Sequence, residues 1–100
     1  MIVKFIEVYE TTNVHANEEL RSYSLREVFI NPEQVVCIRS DGSFKQKLNE
    51  GQLPKDLDKR QEFTKIYLNR GQSGLDVTVV GTPKTIEEKI RKTNKTILKG

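Results

Sequence analysis

The sequence predicts an α+β fold: a small five-stranded, mostly antiparallel sheet, either open or curled into a barrel, followed by a C-terminal helix. Three observations predict it. Runs rich in β-branched and aromatic residues recur between turn residues at 2–9, 21–30, 35–39, 63–69 and 75–81. The pair Asn31-Pro32 breaks "VFINPEQVVCI" into two strands. From about 83 to 98 the apolar period changes from that of a strand to that of a helix.

In the first strand, "IVKFIEVY", Ile2, Ile6 and Val8 share one face, and Val3, Phe5 and Tyr9 share the other. Apolar groups on both faces predict cover on both. The polar stretch 10–19 suits a wide hairpin loop. In "RSYSLREVFI", Tyr23, Leu25 and Phe29 alternate with Ser22, Ser24 and Arg26, the pattern of a half-buried antiparallel strand. Phe5, Tyr23 and Phe29 are accordingly expected to fill the core.

Pro32 has no N–H to give to a ladder, so the chain turns there into "VVCIR". "FTKIYLN" and "LDVTVVG" form the last two strands, and the glycines of the intervening "RGQSG" suit a hairpin turn. Five strands in chain order predict a meander.

The helix opens with Thr82 as N-cap and Pro83 at its first position, or with Thr85 and Glu88 as a capping box. Its stripe of Ile86, Ile90, Thr93 and Ile97 should lie on the sheet. Residues 40–62 form a polar insertion with turn signals at Asp41-Gly42, Gly51 and Pro54, expected to be a mobile loop or a weak local helix.

One hundred residues make one domain with one small core, and a composition of 35% hydrophobic and 31% charged residues is that of a globular chain. So small a core favours self-association, which hides apolar surface that the monomer leaves out. No run approaches the roughly 20 apolar residues of a membrane span, and the N-terminus lacks the core of a signal peptide. A cytoplasmic protein without a membrane partner is expected. The single cysteine, Cys37, excludes an internal disulfide and a zinc knuckle.

The order "VFINPEQVVCI", "TKIYLNRG", a short apolar strand and "TPKTIEEKI" resembles the small FlbD-like proteins of bacterial flagellar operons and similar short phage proteins. The resemblance covers about residues 28–39 and 63–90. It is carried by structural residues, so it implies a fold and no catalytic residues. The extended first hairpin and the insertion at 40–62 depart from the pattern and favour the phage type over a flagellar role.

No constellation of catalytic residues stands above background. Cys37 and His15 are the only thiol and imidazole, the first inside an apolar strand, where a buried thiol is inert packing, and the second in a polar loop. The carboxylate pairs Glu18-Glu19, Asp56-Asp58 and Glu87-Glu88 read as solvated loop or helix residues. "RGQSG" lacks the Lys-Ser/Thr of a phosphate loop. No enzyme activity, metal or cofactor is implied.

The feature that does stand out is the basic tail. Residues 84–100 carry Lys84, Lys89, Arg91, Lys92, Lys95 and Lys99 against two glutamates, more than the whole net charge of +3. Such a cluster is either a nucleic-acid footprint or a helix end whose dipole favours cations. Lys65 and Tyr67 share one strand face and add a stacking ring, while Phe44 is a contact offered by the insertion. The sequence therefore predicts a small non-enzymatic protein-binding or assembly module, expected to form a homo-oligomer. The alternative is a nucleic-acid-binding regulator that uses the basic helix.

Overall fold

The computed structural model describes residues 2–12, 21–69 and 75–99, and side chains at 2–11, 23–69 and 75–92. The elements are β1 (Val3–Thr12), β2 (Arg21–Ile30), a 3₁₀ turn (Pro32–Gln34), β3 (Val35–Ser40), α1 (Gly42–Asn49), β4 (Phe63–Leu68), β5 (Leu75–Val80) and α2 (Pro83–Lys99). They form the expected α+β fold, a five-stranded antiparallel sheet with a C-terminal helix and one further helix. His15, Glu18-Glu19 and the "RGQSG" turn lie outside the described residues.

The strand order is β2-β1-β5-β4-β3, so the sheet is not the meander expected from chain order. β1 and β2 pair along their whole length, from Val3 opposite Ile30 to Thr12 opposite Arg21. β3, β4 and β5 form a second consecutive set, joined to the first where Glu7 and Val8 of β1 meet Val79 and Thr78 of β5. The sheet also does not close into a barrel: β2 and β3 are its two edges and share no ladder.

The Asn-Pro corner nevertheless forces a curl. In a flat sheet the edge strands would stand about 19 Å apart, four spacings of roughly 4.8 Å. The link from Ile30 to Val35 holds only Asn31 and the three-residue turn, and five Cα steps reach about 17 Å even when fully extended. The 3₁₀ turn shortens that reach further. The end of β2 must therefore bend toward the start of β3. The Asn31 side chain caps this turn by accepting from the Glu33 N–H at 3.0 Å, and the Asn69 N–H donates to the Gln34 carbonyl at 2.8 Å, tying the corner to the end of β4.

The curl divides the core between the two faces of the sheet. On one face Phe5, Ile30, Ile66, Val77 and Val79 are buried together with Ile86 of α2, with Ile90 packed beside them. Thr82 caps α2, its hydroxyl accepting from the Thr85 N–H at 3.2 Å, and Ile86 and Ile90 are the described part of the expected stripe. On the other face Val8, Tyr23 and Phe63 are buried with Leu48 and Leu53 of the insertion, and Phe44 and Leu57 pack against them. The insertion is thus not only a polar loop, because α1 and Leu53 supply half of a second core.

Two further expectations are corrected. Phe29 is 60% exposed rather than in the core, because it lies on the insertion-facing side of β2 beyond the reach of the insertion, while Val28 and Ile30 point to the α2 side. Cys37 is exposed rather than buried, because a register shift between Val35 and Cys37 turns it away from the α2 core that Val35 and Ile38 join.

Candidate functional site

α1 begins at a buried carboxylate. Asp41 leaves β3 with its N–H on the Phe63 carbonyl at 2.8 Å. Its Oδ1 accepts from the Ser43 hydroxyl at 2.7 Å and from the Phe44 N–H at 3.4 Å, and its Oδ2 accepts from the buried Thr78 hydroxyl at 2.9 Å. Burial works to raise its pKa, but these hydrogen bonds and the Lys65 cation outweigh burial and hold the carboxyl below its ordinary range. Every oxygen of Asp41 is occupied by the fold, so it joins the insertion to the sheet rather than offering a base.

Phe44 meets Tyr23 edge-on at 5.5 Å and Phe63 at 6.1 Å, with the Lys47 ammonium over the Tyr23 and Phe44 rings, so it helps to seat the insertion. On α2, Lys89 donates to the Lys4 carbonyl at 3.2 Å and lies 5.3 Å from the centre of the Phe5 ring. Arg91 pairs with Glu87 at 3.0 Å, and Lys92 is also engaged. Lys84 is exposed at the start of the helix; the side chains of Lys95 and Lys99 lie outside the described residues. Asp58 pairs with Arg60 at 3.0 Å. Among the described residues no group of His, Cys, Asp or Glu could hold a metal ion, and no helix is long and apolar enough to cross a membrane.

Two surfaces remain open. The first is the outer edge of β2, ten residues long, whose outward backbone groups meet no strand among the described residues. Beside it runs a groove of about 470 Å³ lined by Ile6, Leu25, Leu57 and Val80, with Arg26, Glu27 and Gln61 at its rim. Arg26 donates to Glu7 at 2.8 Å and lies 4.1 Å over the Tyr9 ring, and Lys4 reaches Glu27 at 3.8 Å. Phe29 extends from the same face of β2.

The second surface lies on the other half of the same face. The register places Arg39, Lys65 and Thr78 in one row across β3, β4 and β5, and Cys37, Tyr67 and Asp76 in the next. Lys65 and Tyr67 are brought together as their alternation predicts. Arg39 was not legible as their neighbour, because its place opposite Lys65 depends on a register that no local pattern specifies.

No family model matches the chain, and no match to a curated protein or to a solved structure is found.

Proposed function

We propose that the protein is a small non-enzymatic binding or assembly module, cytoplasmic and of phage or bacterial type as the FlbD-like resemblance implies, that takes an extended segment onto the free edge of β2. One observation carries the reading: a ten-residue edge that no described strand pairs stands next to an apolar groove on the same face. A strand added to an edge gains main-chain hydrogen bonds, and its alternate side chains find pockets along the sheet. Proteins that do not use such an edge cover it or blunt it with charge, proline or bulges. On β2 the charges Arg26 and Glu27 are paired with Glu7 and Lys4 of the neighbouring strand, and Phe29 is exposed beside them.

A second copy of the chain is the simplest partner, since two β2 edges pair antiparallel about a two-fold axis and leave no further copy of that edge free. The α2 route to nucleic acid has less support, because Lys89 and Arg91 are engaged within the molecule. Sedimentation over a concentration series tests the reading, with Phe29→Lys as the variant. The parent should form a dimer that the exposed lysine weakens without changing the fold. A parent that stays monomeric at high micromolar concentration, and captures no partner that the variant loses, rejects it.

A further inference from the structure

The surface on β3, β4 and β5 contains a pairing that the fold itself disfavours. Arg39 and Lys65 are directly opposite each other in an antiparallel ladder, which brings their Cβ atoms to about 5 Å, and like charges in that relation are destabilising. Asp41 attracts Lys65, but its oxygens are already bonded to Ser43, Phe44 and Thr78. Arg39 is exposed and Lys65 half-buried, so both remain within reach of a ligand. An anion between them would remove the repulsion.

Two residues along the strands, roughly 7 Å away, the half-buried ring of Tyr67 stands between Cys37 and Asp76. Cys37 is exposed and small, so no bulky neighbour from β3 covers the ring. Asp76, exposed on the other side, is an acceptor at the edge of the same platform. Two cations, an aromatic face and one carboxylate in adjacent rows of one sheet face match the parts of a nucleotide: a phosphate, a base to stack, and an exocyclic amine to accept from. An acidic peptide would use the cations but has no use for Tyr67.

We propose that this face binds single-stranded nucleic acid, with a phosphate held by Arg39 and Lys65, a base stacked on Tyr67, and Asp76 favouring bases that carry an exocyclic amine. The assignment does not rest on β2, which lies at the opposite edge of the sheet.

Fluorescence anisotropy with labelled 12-mers of deoxycytidine and of deoxythymidine tests it on the full chain. With one phosphate neutralised at a slope of roughly −0.7, affinity should fall about 3-fold between 50 and 200 mM salt. The double variant Arg39→Gln, Lys65→Gln should lose that dependence. Tyr67→Leu should weaken binding by about 10-fold or more, with Tyr67→Phe retaining it. Asp76→Ala, which removes the acceptor, should erase a preference for the cytidine strand. Circular dichroism confirms that each variant is folded. Absence of binding by the parent at 50 mM salt overturns the proposal, as does parent-like binding by the double variant. Equal binding by Tyr67→Leu, with full displacement by polyglutamate, assigns the face to an acidic protein and overturns it as well.

Discussion

Replacing Asp41 by Ala removes the join between insertion and sheet, and its effect can be worked from three hydrogen bonds. The carboxylate caps α1 through the Phe44 N–H, a role whose loss costs about 1 kcal/mol. It also accepts from Thr78, a residue only 6% exposed, whose hydroxyl would be left without a partner at a further cost of about 1–3 kcal/mol. The Ser43 bond is nearer to solvent and adds less. The expected total is about 3 kcal/mol, which for a domain of this size lowers Tm by roughly 12–24 °C. Urea denaturation at pH 7 measures it. Adding Thr78→Val removes the stranded hydroxyl, so the double variant should be more stable than the sum of the two single changes predicts, by about 1 kcal/mol or more. Strict additivity would refute the reasoning, because it would mean that the buried pair is not coupled.

The same carboxylate sets an acid limit. Its folded-state pKa is lowered, so the stability it supplies is present above the ordinary aspartate value of 3.8 and is lost as pH falls through the lowered folded value. The stability difference between the parent and Asp41→Ala should hold from pH 7 to about 5 and shrink below about pH 4. A difference that grows on acidification would contradict the assigned direction.

Three other outcomes are expected. Gly81 has φ +131° and lies where an added Cβ would come within 3.1 Å of Ile86 Cδ1, so Gly81→Ala should lower stability by about 1–3 kcal/mol in thermal melts. Tryptic cleavage within the insertion should occur first after Lys55, Lys59 or Arg60, all exposed, and later after Lys45, whose ammonium is held by the Lys59 and Gln61 carbonyls; first cleavage after Lys45 would argue against a docked α1. Replacing Lys89, Lys92 and Lys95 together by Gln should leave oligonucleotide affinity within about 2-fold at physiological salt, where charges away from the binding face are screened; a larger loss measured by anisotropy would return the nucleic-acid role to α2.

What the sequence made legible is what local chemistry determines. Strand alternation located all five strands, the Asn31-Pro32 pair located the corner, and Thr82-Pro83 with the isoleucine period located α2, because each rests on residues within a few positions of one another. The lateral order of the strands was not legible. It depends on Glu7 and Val8 finding Val79 and Thr78 some seventy positions away, and nothing local marks those residues as partners. The exposure of Phe29 and Cys37 has the same origin. Alternation says which residues share a face, but whether that face is covered depends on how far the insertion extends and on a single register shift in β3.

The insertion reads as a loop because its apolar residues are sparse: Phe44, Leu48, Leu53 and Leu57 are spread over fourteen positions. Their spacing becomes meaningful only once the second face of the sheet is known to need cover. β1 had already shown that need, since Val8 and Ile6 point away from Val3 and Phe5, and a strand apolar on both sides requires a layer on each. The insertion covers Val8, Tyr23 and Phe63 but stops short of Ile6 and Phe29, and it leaves Arg39, Lys65 and Tyr67 open on the opposite flank. Both candidate surfaces are therefore parts of one face that a short second layer leaves open, the first bordered by the insertion only at Leu57 and Gln61, and extending α1 over either one would stabilise the domain while removing its binding surface.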